Sequence, residues 1–109
     1  MNPLIAQLHE PLMEVCRRFR VEQLYLFGSA ADDRFRSGYS DLDFLVTLPE
    51  QPPGEYAESY LGLAQALENL FQRPVDLVTE RSIRNPYFRE AVLAARQLLY
   101  DCRDEKAVA

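Results

Sequence analysis

The chain has 109 residues, of which 48% are hydrophobic and 27% charged, with a formal net charge of −5. This is about one domain's length, and the apolar share is ordinary for a globular core, which argues against disorder. The acid excess argues against holding nucleic acid by phosphate neutralisation, which needs clustered Lys and Arg, and it suits divalent cations better.

The apolar runs are short, as at Leu24 to Phe27 and Phe44 to Val46, and fall far below the roughly 18 residues that a membrane span needs. After Met1 there is no charged start followed by an apolar stretch and a small-residue cleavage site, so a cytoplasmic location is expected. Cys16 and Cys102 lie far apart without CxxC spacing, and free thiols are the expectation for such a pair in the cytosol.

Asn2 and Pro3 read as an N-cap with Pro at the first helical position, and Leu4, Leu8, Leu12, Val15 and Phe19 then recur at helical spacing. Pro11 falls inside that pattern, so the segment is one kinked helix or two shorter ones. Gln23 to Phe27 reads as a strand that runs into a tight turn at Gly28 and Ser29. The polar stretch Ala30 to Ser40 predicts a short helical turn and an exposed loop, and Asp41 to Thr47 the next strand.

Three prolines and a glycine make Pro49 to Gly54 a connecting loop. Tyr60, Leu63, Ala64, Leu67, Leu70 and Phe71 follow the spacing of a helix with one buried face. Pro74 opens a third strand, Val75 to Thr79, expected in the sheet interior, and Pro86 a last helix to about Ala95. Leu98 to Tyr100 is a terminal strand or an extension of that helix, and Asp101 to Ala109 reads as a frayed tail. Alternating strands and helices place residues 1–109 in one α/β (α+β) domain, a small mixed sheet flanked by helices.

Three acids stand out. Asp41 and Asp43 are two apart in a strand, so their carboxylates project from one face while Leu42 and Phe44 point to the other. Like charges so close raise each other's pKa unless a cation lies between them. Asp76, between Val75 and Leu77, would be costly to bury without a partner. If its strand lies beside Asp41 to Thr47, the three carboxylates form an oxygen-rich site suited to Mg²⁺. A pair of such ions, roughly 3.5 to 4 Å apart, serves in-line phosphoryl displacement. Gly28 allows close backbone approach to an anion, and the Ser29 hydroxyl can bond phosphate oxygens or cap the following helix.

The order of these features resembles the DNA polymerase β-like nucleotidyltransferase superfamily, and the small chain looks like its minimal nucleotidyltransferase (MNT) branch. The matching stretches are LYLFGS at Leu24–Ser29, SDLDFLV at Ser40–Val46, RPVDLVT at Arg73–Thr79 and RNPYFREAV at Arg84–Val92. The resemblance implies a polymerase β-like fold, Gly28 and Ser29 as the nucleotide-binding pair, and Asp41, Asp43 and Asp76 as catalytic ligands of two Mg²⁺ ions. By analogy Asp76 also helps to remove the proton of the attacking hydroxyl. ATP is the implied substrate. The implied partner is a HEPN-domain toxin encoded nearby, silenced when the antitoxin moves AMP onto a tyrosine close to its ribonuclease site. Two departures stand out. Ala31, Asp32 and Asp33 occupy the place where many relatives have Arg-Gly, with Arg34 and Arg36 as possible substitutes, and eleven residues separate Ser29 from Asp41, one more than is common.

Other motifs are absent: there is no GxxxxGK[ST], GxGxxG, HExxH or nucleophile elbow. His9, the only histidine, reads as a solvated helix residue. Tyr87 and Phe88 could stack on an adenine ring, but the preferred expectation is that they anchor the last helix in the core. Arg81, Arg84 and Arg89 read as surface or partner-facing in preference to phosphate-facing. The complete acid triad favours an enzyme over an antitoxin that masks its partner without turnover; a third alternative, transfer to a small molecule, is disfavoured because no second domain for such an acceptor is expected, unless the second subunit of a dimer builds that site.

Overall fold

The computed structural model describes residues 3–28 and 41–103. Ser29, the stretch 30–40 with Arg34 and Arg36, and 104–109 lie outside the described residues. The first helical segment is two helices, α1 (Pro3–Gln7) and α2 (His9–Arg18), separated at Leu8, whose φ of −107° and ψ of 25° leave the helical region. Pro11 explains the break: it has no N–H for the Gln7 carbonyl four residues earlier, and its ring crowds that group. The chain then forms β1 (Gln23–Phe27), β2 (Leu42–Thr47), α3 (Pro53–Phe71), β3 (Val75–Thr79), a short 3₁₀ turn (Glu80–Ser82), α4 (Pro86–Ala95) and β4 (Gln97–Asp101).

Two boundaries differ from expectation, and one open alternative is resolved. Helix α3 begins inside the proline-rich stretch, because Pro53 suits a first helical turn whose N–H groups have no intrahelical partner. The alternatives for Leu98 to Tyr100 resolve as a strand, β4, antiparallel to β1. The tail starts later than expected, since Asp101 ends that strand and is buried.

The sheet order is β3-β2-β1-β4, with β1 antiparallel to β2 and β4, and β2 parallel to β3. β3 is therefore an edge strand, not an interior one. Its inward neighbour is β2 alone, and helix α3 secures it from behind. The Tyr60 hydroxyl donates to the Leu77 carbonyl, and the Val75 N–H donates to Glu68 Oε2 at 3.2 Å. The α3 helix stops at Gln72, which takes a left-handed conformation just ahead of Pro74.

One sheet face carries Leu24, Leu26, Leu42, Phe44, Val46 and Leu77 and packs on α2 and α3. Phe44 meets Phe71 there with ring centroids 5.9 Å apart. Gly62 lets the two helices approach, since a Cβ at that position would lie 2.7 Å from the Phe19 ring. The opposite face holds a smaller cluster, Phe27, Leu45, Ile83 and Val92, through which α4 covers part of the sheet. Neither Cys16 nor Cys102 forms a disulfide. Among the described residues no helix is long and apolar enough to cross a membrane.

At the sheet end farthest from Phe27, the buried Asp101 carboxylate accepts hydrogen bonds from Gln23 Nε2 (3.0 Å) and from the Arg103 N–H, Nε and Nη2 (2.9, 3.2 and 3.0 Å). These bonds, led by Arg103, hold it well below the ordinary carboxylate range. A depressed pKa contributes stability that is present above about pH 4 and lost as pH falls further. Asp101→Ala should therefore lower the urea midpoint at pH 7, and the gap to wild type should narrow on acidification. A gap independent of pH would show that the carboxylate's charge contributes nothing.

Candidate active site

The sheet topology sets Phe27, Asp43 and Asp76 in one row across three strands. Phe27 is the register partner of Asp43 in the β1–β2 pair, and Asp43 is the register partner of Asp76 in the β2–β3 pair. Directly paired residues share a face of a sheet, so the two carboxylates stand side by side, on the face that carries Leu45 and α4 rather than on the face packed by α2 and α3. Asp41 immediately precedes β2, two residues from Asp43, and its backbone is fixed nearby by the Leu42 N–H bond to the Pro74 carbonyl (3.3 Å).

The three acids do not share one environment. Asp43 is half-buried, while Asp41 and Asp76 are exposed, so the burial expected of Asp76 is not found. Edge position explains this: among the described residues no strand pairs with the outer side of β3. Burial, then the charge of Asp76, then that of Asp41 push the Asp43 carboxyl up to about 6 from 3.8. The field of the cluster thus falls on the central acid, and hard oxygen donors in mutual repulsion are the chemistry that suits Mg²⁺. Among the described residues no three acidic, His or Cys side chains converge closely enough to grip one ion. Holding one between them calls for rotation of the exposed Asp41 or Asp76 side chain toward Asp43, which free χ angles permit.

Gly28 forms the fourth part of the site. Its φ is +70°, and a Cβ built on it would lie 2.2 Å from Asp43 Oδ2. Glycine takes this left-handed backbone without strain and leaves the Asp43 carboxylate where it stands, whereas a side chain would force that carboxylate to turn. Ser29 lies outside the described residues.

Helix α4 lines the site on its β1 side. Asn85 caps it by accepting from the Tyr87 and Phe88 N–H groups at 2.9 and 3.1 Å. Phe88 meets Phe27 edge-on, with centroids 6.2 Å apart. The core anchors of α4 are Val92 and, just before the helix, Ile83. Tyr87 is 83% exposed and Phe88 48%, which corrects the expectation that the pair anchors this helix. Their aromatic character had suggested burial; Phe88 does share a helix face with Val92, four residues on, but at the first turn it reaches only the Phe27 ring, while Tyr87 lies off that face. Arg89 is tied to Glu80 at 2.7 Å, while Arg81 and Arg84 are exposed, as expected of surface residues. His9 is exposed too.

A mixed sheet with carboxylates paired across neighbouring strands, next to a glycine turn, is a framework suited to phosphate-ester chemistry. The chain belongs to the nucleotidyltransferase domain family, whose sequence model matches residues 10–99, and it is a nucleotidyltransferase. It is 35% identical over 88 residues to a Methanocaldococcus jannaschii chain named as a protein adenylyltransferase, MJ1379, covering 81% of this chain and 84% of that one. A solved structure described as a minimal nucleotidyltransferase superposes with a TM-score of 0.61 at 31% identity, covering 85% of this chain and 90% of that one. An MNT antitoxin in complex with a tri-AMPylated HEPN toxin of Shewanella oneidensis shares the fold, with a TM-score of 0.61 and 22% identity over 94% of this chain and 77% of that one.

Proposed function

We propose that this single domain transfers AMP from ATP to a tyrosine hydroxyl of a HEPN-domain toxin, and so acts as its antitoxin. The observation that carries the reading is the pairing of Asp43 with Asp76 on adjacent strands, beside a glycine where a Cβ would strike the Asp43 carboxylate. The similarity to the M. jannaschii adenylyltransferase supports the reaction class, and the AMPylated toxin in the Shewanella complex supports the acceptor. A cytoplasmic setting goes with both.

In this reaction the acceptor oxygen attacks the α-phosphorus, a new P–O bond forms, and the bond to the β-phosphate oxygen breaks. Pyrophosphate leaves with that electron pair. Asp76, exposed at the sheet edge, takes the proton of the attacking hydroxyl. Gly28 and Ser29 hold the triphosphate through backbone N–H groups and a hydroxyl. Asp41, Asp43 and Asp76 would hold two Mg²⁺ ions, which when bound neutralise charge on the attacking and leaving oxygens.

The test uses the full chain, labelled ATP, Mg²⁺ and the HEPN-like protein encoded beside it. The partner should gain one or more AMP units by mass spectrometry, and replacing Asp41 and Asp43 together by Asn should abolish the gain. A tight complex that inhibits the partner without labelling would replace transfer by masking as the function. Labelling that survives the double substitution would overturn the site.

A further inference from the structure

We propose that Tyr87, backed by Phe88, is the platform on which the purine base of the nucleotide stacks; this rests on the triphosphate reading of Gly28 and the acid row. Two of the large apolar side chains exposed among the described residues are adjacent at the start of α4, where single scattered ones would call for no explanation. Their placement links them to the site. Phe88 packs edge-on against Phe27, the register partner of Asp43 and the residue before Gly28.

The direction of Tyr87 follows from its helix. Residues 87 and 89 lie roughly 200° apart on a helical wheel. Arg89 is drawn to Glu80, just past the end of β3 remote from Asp76. Tyr87 therefore projects from the opposite flank, toward the end of the sheet that carries Gly28 and the acids. The Asn85 cap and Pro86 preset the backbone that presents both rings, so little order has to be gained on binding. For a nucleotide whose phosphates lie along Gly28 and whose base extends away from the carboxylates, α4 is, among the described residues, a wall that offers exposed aromatic faces. Flat faces of this kind hold any base through stacking, and larger purines more strongly than pyrimidines.

Tyr87 is so exposed that its replacement should leave the fold intact. With Mg²⁺ present, Tyr87→Ala should weaken ATP binding in titration calorimetry by roughly five- to 150-fold, the range that base–aromatic stacking supplies. Inorganic tripolyphosphate, which has no base, should bind wild type and variant alike. Tyr87→Phe should keep wild-type ATP affinity, and Tyr87→Ala should narrow the preference for ATP over CTP. Unchanged ATP affinity in Tyr87→Ala overturns the platform, and if that variant instead loses affinity for the HEPN-like protein, the aromatic pair is a docking surface. Wild type that binds neither ATP nor tripolyphosphate overturns the phosphate-site reading itself, and the platform with it.

Discussion

Gly28→Ala is expected to lower transferase activity by roughly a hundredfold or more, the effect of displacing a reacting group by about an ångström, while the protein stays folded. Two separate penalties act at this position. A left-handed backbone costs a residue with a Cβ about 1 to 2 kcal/mol, which bears on stability. The new methyl group would also sit 2.2 Å from Asp43 Oδ2, and that conflict can be relieved by turning the carboxylate away. The relief is cheap for folding and ruinous for a ligand that must meet Asp76 across the strand pair, so activity falls further than stability. A cycle with Asp43→Ala separates the two. In that background Gly28→Ala should retain only the backbone penalty in a urea melt, because nothing is left for the methyl to strike. A fully active Gly28→Ala enzyme would show that the close approach has no role in positioning Asp43.

Much of this site was readable from residue types and spacing. Asp-x-Asp at the head of a strand puts two carboxylates on one face whatever surrounds them, and a Gly-Ser after an apolar strand marks a turn that needs an unusual backbone. The pairing of Asp43 with Asp76 was conditional on strand order, which local pattern does not specify: parallel β2 and β3 are joined through α3, and their register depends on helix packing. The same gap misplaced β3 in the interior. An apolar strand with one acid looks buried from its composition, but a Tyr60 hydroxyl and a Glu68 carboxylate tether this one to α3 at an edge. Tyr60 read only as a member of the buried helical stripe, since spacing says which side a residue faces and nothing about which carbonyl its hydroxyl reaches. The start of α3 at Pro53 and the split at Leu8 show proline acting by position, favourable in a first turn and disruptive within a helix.

Asp43→Asn should make the protein more stable and abolish its chemistry. The folded-state pKa of about 6 lies above the ordinary 3.8, because burial and the charges of Asp76 and Asp41 oppose ionisation. Between pH 4 and 6 the folded chain therefore keeps a proton that the unfolded chain releases. The sign follows: wild-type stability falls as pH rises through that window and is fully reduced above it. Asn carries no charge and escapes the loss. With the shift discounted because the group is only half-buried, the gain at pH 7 in chelator is about 1 kcal/mol, or roughly 4 to 8 °C in melting temperature. It should vanish near pH 4, where both proteins are uncharged at this position. Mg²⁺ should reverse the order, since an ion that binds only the folded wild type raises its melting temperature by mass action and finds a weaker site in the variant. Activity should fall by at least the roughly 10²- to 10³-fold lost when one group aimed at developing charge is removed. Equal melting temperatures at pH 7 and pH 4 would mean that the carboxylates do not repel, and the case for a cation between them would go with it. A stability gain confined to neutral pH and cancelled by Mg²⁺ is the behaviour of a cluster whose repulsion is retained for the ion it holds.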